Sequence, residues 1–162
     1  MKYTLSVLVE NRPGVLTRIA GLFARRGYNI DSLTVGRSED EHYSRMTIVV
    51  DGDQDIVEQV AKQLHKLIDV IKVNDITDIP HVERELVFVH VKGDSNNRGE
   101  IMDLLEIFRG RVVDLSKSSM IVETTGDCGK VDAFIAALTP YGIKEVVRTG
   151  KMGLIRGERR KN

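Results

Sequence analysis

The sequence predicts an α+β protein made of two successive β-α-β-β-α-β units. Three observations predict it. Apolar stretches of period two alternate with stretches carrying apolar residues at i, i+3, i+4 and i+7, and they do so in the same order twice. Pro80-His81 falls where the rhythm restarts, which sets the expected domains at 1–79 and 80–162. A length of 162 residues accommodates two small domains, each with its own core. The halves share a pattern but few letters.

Residues 3–10 open the chain, with Leu5, Val7 and Val9 alternating with Thr4, Ser6 and Leu8 as in a strand with a buried face. Asn11-Arg12-Pro13-Gly14 breaks it. Pro13 suits the first helical position, where its missing N–H has no partner to lose, and Val15, Leu16, Ile19, Ala20, Leu22 and Phe23 follow at helical spacing. Arg25 and Arg26 complement the negative end of the helix dipole, and Gly27 supplies a left-handed stop. A helix is therefore expected over 13–26, a strand over 28–36, a polar connector over 37–42 and a strand over 44–51. Gly52-Asp53 caps a second helix that carries Ile56, Val57, Val60, Leu64, Leu67 and Ile68 on one face, and a fourth strand is expected over 70–79.

The second half repeats this. Strands are expected over 85–92, 111–115, 119–125 and 143–149. A helix is expected over 97–108, stopped by Gly110, and another around Val131, Phe134, Ile135 and Leu138, ending near Pro140. The order gives a four-stranded antiparallel sheet with two helices on one face, the ferredoxin-like arrangement. Right-handed crossovers put the first and third strands in the middle. The strand over 28–36 then lies on an edge, guarded only by Asp31, and its unpaired backbone groups invite a second copy to form a continuous sheet and a homodimer.

Lys plus Arg is 24 and Asp plus Glu is 24, so no overall charge draws the chain to nucleic acid or an anionic membrane. The basic excess is at the end, where Lys151, Arg156, Arg159, Arg160 and Lys161 face only Glu158; a solvated, frayed tail is expected there. The single cysteine, Cys128, forms no intrachain disulfide and fits a reducing compartment. The first apolar run has strand length, not that of a signal peptide or membrane span. A cytoplasmic protein is expected.

No catalytic constellation is visible. His42, His65, His81 and His90 are scattered and lack metal-ligand spacing. Cys128 sits in a loop entering a helix with no evident base. Gly126-Asp127-Cys128-Gly129-Lys130 lacks the gap and the hydroxyl of a phosphate loop. The expected central strands carry no aromatics at RNA-stacking positions.

The segment that carries chemistry is VLVENRPGVLTRIAGLFARRGYNIDSLTVG, residues 7–36. A helix opening at Pro13-Gly14 leaves the amides of Gly14, Val15 and Leu16 without intrahelical partners, and they carry positive partial charge. Gly14 admits close approach of a ligand to the backbone. A carboxylate suits such a place. Asn11 and Asn29 offer carbonyl oxygens to an ammonium group. On the residues alone, Asn11, Pro13 and Gly14 also fit a plain turn and cap.

This segment resembles the amino-acid-sensing ACT domain, in which a strand ends in a motif like ENRPGVL, a helix follows and GxNI opens the second strand, here Gly27-Tyr28-Asn29-Ile30. More narrowly, the chain is similar to the family of small regulatory subunits of acetolactate synthase (acetohydroxyacid synthase). RRGYNIDSLTVG, SRMTIVV, QLHKLIDVIKV, HVERELVFVHVK, EIFRGRVVDLS and GKVDAFI carry that resemblance nearly end to end. The resemblance implies a non-catalytic subunit with an N-terminal ACT domain. It would activate the large catalytic subunit and confer feedback inhibition by valine or a related branched-chain amino acid. Thiamine diphosphate, magnesium and FAD are then expected only in that partner. The resemblance places the effector between ACT domains of two chains. Asn11, Gly14, Val15 and Leu16 would come from one chain and Asn29 and Ile30 from the other, with Pro13 and Thr17 close by. A stand-alone amino-acid-sensing module acting on another partner is the alternative. An independent enzyme would need a reactive set that the sequence does not offer.

Overall fold

The computed structural model describes residues 1–157. Among them lie β1 (Lys2–Glu10), α1 (Val15–Arg26), β2 (Ile30–Arg37), β3 (Tyr43–Asp51), α2 (Gln54–His65) and β4 (Val70–Asp75). Then follow β5 (His81–Lys92), α3 (Arg98–Ile107), β6 (Arg111–Leu115), β7 (Ser119–Gly126), α4 (Cys128–Leu138), a 3-10 turn (Thr139–Tyr141), β8 (Ile143–Arg148) and β9 (Met152–Ile155). The strand orders are β2-β3-β1-β4 and β6-β7-β5-β8, with β9 pairing β5. Both β-α-β-β-α-β units are thus ferredoxin-like antiparallel sheets, with first and third strands central and β2 on an edge. One compact unit spans Met1–Val82 and the segment from Met152, the other Glu83–Lys151.

Each unit has a core where period-two strands meet period-3.6 helices. In the first, Leu5, Val7 and Val9 of β1 and Met46, Ile48 and Val50 of β3 meet Ile19, Phe23, Val57, Val60 and Leu64. In the second, Val87, Val89 and Val91 meet Ile101, Leu105, Val131, Phe134 and Leu138. Phe108 and Phe134 pack edge to face with centroids 5.5 Å apart, an arrangement the ring quadrupoles favour.

Several element ends differ from expectation for local reasons. Pro13 is not the first helical residue. Arg12-Pro13-Gly14-Val15 is a turn with Pro second and a left-handed Gly third, closed by the Val15 amide on the Arg12 carbonyl at 3.4 Å, and the helix starts only after it. This is the chemistry of a type II turn. β4 ends at Asp75 because the Asp75 carboxylate accepts from the Thr77 amide and hydroxyl and turns the chain. β5 begins at His81 rather than at residue 85. At the end of α3 the left-handed residue is Arg109, φ 53°. Gly110 is needed for space, since a Cβ there would stand 2.6 Å from the Glu123 carbonyl oxygen. α4 starts at Cys128, with the Asp127 carboxylate accepting from the Lys130 amide at 2.8 Å.

The expectation of a frayed tail is corrected for its first part. β9 is a strand, and Lys151 pairs with Glu83 at 2.8 Å. The Gly153 amide donates to the Thr47 hydroxyl at 3.1 Å, and a Cβ on Gly153 would stand 2.9 Å from the end of Ile76. Residues 76–82 and β9 therefore close over the sheet face turned away from α1 and α2, where Thr4, Thr47 and Val49 are buried. A strand that alternates apolar-in and polar-out would expose that face; a return crossing of the chain hides it instead. Arg159, Arg160 and Lys161 lie outside the described residues.

Candidate functional site

The turn before α1 shapes the site. Gly14 holds φ 87°, a conformation costly for any side chain with a Cβ. No side chain caps α1, and its first turn holds no acid. α2 and α4 have aspartate caps at Asp53 and Asp127, and α3 has Glu100 in its first turn. The Arg18 amide bonds to the Gly14 carbonyl at 3.0 Å and Val15 closes the turn. The amides of Gly14, Leu16 and Thr17 find no acceptor among the described residues.

The expected site residues divide. Val15 turns its side chain into the core and offers only backbone. Leu16 leaves its side chain exposed beside the open amides, and Pro13 and Thr17 are exposed as well. Asn11 is fixed: its backbone amide donates to the His42 carbonyl at 2.7 Å and its side-chain nitrogen to the Glu41 carbonyl at 3.0 Å. Its side-chain oxygen is left as an acceptor. A cleft of about 360 Å³ lies alongside, lined by Glu10, Asn11, Arg12, Arg37, Glu41 and His42.

Asn29 and Ile30 are not brought to this place in one chain. Ile30 pairs with Val50, which pairs with Tyr3, whereas Glu10 pairs with Tyr43. Seven strand residues, about 23 Å, separate the two ends of the sheet. Asn29 is exposed, and Ile30 packs partly against the core of its own unit. Asp31, expected as the edge guard, sits at a register shift of β2 and is paired with Lys2 at 2.9 Å.

Two residues were missed by the sequence reading. Asp69, between α2 and β4, keeps only 4% of its side-chain surface exposed, yet it is a carboxylate. Arg18 Nε donates to its Oδ2 at 2.6 Å and Arg12 Nη2 to its Oδ1 at 2.7 Å. The Arg18 hydrogen bond, then that of Arg12, holds the Asp69 carboxyl below the usual carboxylate range against its own desolvation. Arg12 also pairs with Glu10. The signal was an acid inside an apolar run, Leu67-Ile68-Asp69-Val70-Ile71. Such an acid is buried only when paired.

Elsewhere, burial and then the nearby Glu85 push the Cys128 thiol up from its ordinary value, the reverse of activation. No group of His, Cys, Asp and Glu among the described residues could hold a metal ion. None of the described helices is long and apolar enough to cross a membrane.

A βαββαβ domain with an open Pro-Gly helix start, Asn11 before it and GYNI after the helix is an ACT-type regulatory domain. The family model for the ACT domain of acetohydroxyacid synthase small subunits matches residues 5–72, and that for the small subunit of acetolactate synthase matches 84–157. A probable acetolactate synthase small subunit of Archaeoglobus fulgidus is 58% identical over 160 residues, covering 99% of this chain and 100% of that one. That of Methanothermobacter thermautotrophicus is 51% identical over 97% of this chain and 94% of its own. The crystal structure of the acetolactate synthase small subunit from Thermotoga maritima superposes with a TM-score of 0.88 at 42% identity, covering 98% of this chain and 99% of that one. The chain belongs to the acetolactate synthase small-subunit family.

Proposed function

We propose that this chain binds and activates the catalytic subunit of acetolactate synthase and makes it sensitive to valine or a related branched-chain amino acid. The observation that carries the effector half is the uncapped start of α1, where three amides and a side-chain-free Gly14 face solvent. Two chains pair through the β2 edge, and the two-fold brings Asn29 and Ile30 of one to Asn11, Gly14, Val15 and Leu16 of the other. The separation of these groups within one chain supports that reading. In this reading thiamine diphosphate, magnesium and FAD belong to the catalytic subunit, and both proteins work in the cytoplasm.

The energetics suit a sensor. A carboxylate at a helix start contributes about 0.3–2 kcal/mol. Hydrogen bonds to charged groups add about 1.5–3 each, and burial of an isopropyl group about 1.5–3. Association entropy removes several, which leaves a dissociation constant of roughly micromolar to millimolar. Because the pocket spans two chains, the effector favours one arrangement of the pair, by as much as its affinities for the two arrangements differ.

The test is to purify the chain with its candidate catalytic subunit and follow pyruvate condensation with and without valine. Higher turnover on association, lost on adding valine, is expected. Valine binding with no effect on that partner points to a stand-alone sensor, and turnover by this chain alone to an enzyme.

A further inference from the structure

The arginines at the start of α1 differ in what they have left to give. Arg12 meets two acids through one nitrogen, Glu10 and Asp69. Arg18 is tied to Asp69 through Nε, which fixes the plane of its guanidinium while leaving Nη1 and Nη2 with no other partner among the described residues. Those two nitrogens lie over Gly14. Nη1 is 2.9 Å and Nη2 3.8 Å from where a Cβ on Gly14 would stand. The guanidinium thus occupies the volume that the missing side chain vacates, beside the unsatisfied amides of Gly14, Leu16 and Thr17.

We propose that Arg18 is a direct ligand of the effector's carboxylate and the residue that selects a charged carboxyl group, with Asp69 as the positioning residue that aims it. The assignment rests on the effector reading above and deepens it. Open amides alone accept any hydrogen-bond acceptor, a neutral carbonyl included. A guanidinium fork adds a full charge and the two-pronged geometry of a carboxylate. Asp69 supplies what a long, half-exposed side chain lacks, a fixed direction. Its buried carboxylate binds the inner nitrogen, so that the outer pair points at Gly14. An aspartate at position 14 would place its own carboxylate on that guanidinium and occupy it.

The experiment compares valine with valinamide, which keeps the ammonium and the isopropyl group but carries a neutral amide. Binding to the full holoenzyme is measured by calorimetry, and inhibition of acetolactate formation is followed in parallel. The unmodified holoenzyme is expected to prefer valine over valinamide at least tenfold. Arg18→Gln should weaken valine at least tenfold and leave valinamide nearly unchanged. Asp69→Asn should shift the ratio the same way by less, and Arg18→Lys, which has no Nε to bond Asp69, should fall between. If Asp69→Asn fails to fold, the Arg18 variants carry the test, since that side chain is 49% exposed. Equal weakening of both ligands by Arg18→Gln, or an unchanged ratio, overturns the assignment while valine binding by the unmodified protein upholds the effector reading. An unmodified holoenzyme that binds neither ligand overturns both.

Discussion

The two units share element order and strand order, yet they treat the start of their first helix in different ways. In the first, the chain enters α1 through a left-handed Gly14 with no cap, no acid in the first turn and an arginine laid across the opening. In the second, the loop before α3 is closed on itself: the Asp94 amide donates to Asn97, the Asn96 amide to the Asp94 carboxylate, and Glu100 supplies negative charge. Buried charge follows the same division. Asp69 anchors groups that reach an open helix start. Glu85, with 2% of its side chain exposed, spends its charge on Arg148, which also takes Asp132 at 2.8 Å. Neither start carries a side-chain cap, but one is entered through a left-handed glycine under an arginine and the other through a hydrogen-bonded loop with an acid in the first turn. In the proposed reading, function lies in how a helix start is entered, not in the architecture.

Six substitutions break or sharpen this contrast. Gly14→Asp fills the open start with a side chain and a negative charge. Valine inhibition should disappear, by roughly a hundredfold or more in a two-contact loss, with association to the catalytic subunit retained. Full inhibition of that variant would remove the site. Glu85→Ala leaves Arg148 to Asp132 alone and should cost about 1–3 kcal/mol in urea unfolding while leaving the valine affinity of the folded protein unaltered; a shifted affinity would mean that the units are not separable in this sense. Asn29→Ala should weaken valine by about 1–3 kcal/mol, and an unchanged calorimetric affinity takes Asn29 off the site. The caps provide matched controls: Asp53→Ala and Asp127→Ala should each lower stability by about 1 kcal/mol without touching inhibition. The last substitution is read in acid. Asp69 titrates below its unfolded value of about 3.9, so its contribution is present above that pH and is lost as pH falls through the lower folded value. Asp69→Asn should flatten that acid limb, and superimposable acid-unfolding curves for the two proteins would contradict it.

Much of this was legible from residue order. Period-two and period-3.6 stretches located the four α-helices and eight of the nine strands among the described residues, and Asp53 read correctly as a cap because its side chain serves a neighbouring amide, a local event. What escaped was non-local or depended on a competing rule. Pro13 satisfies both a helix start and a turn, and the positive φ of Gly14 decides for the turn. Met152-Gly153-Leu154-Ile155 is too short to announce a strand, and it forms one because Gly153 fits against Ile76 and Thr47 far back in the chain. Nothing local in the sequence singles out Arg18. Its partner Asp69 is 51 positions away, and only the fold brings them together. The residues chosen at the helix start are where the sequence put them. Within one chain they do not meet Asn29 and Ile30, and the proposed dimer would supply those from a second chain.

The most direct measurement is diffraction from crystals of the full chain soaked in valine. The account predicts density for the amino acid at the two-fold seam, its carboxylate on the α1 start of one chain and its ammonium near the asparagines. A seam left empty, with valine ordered at another place, would contradict it.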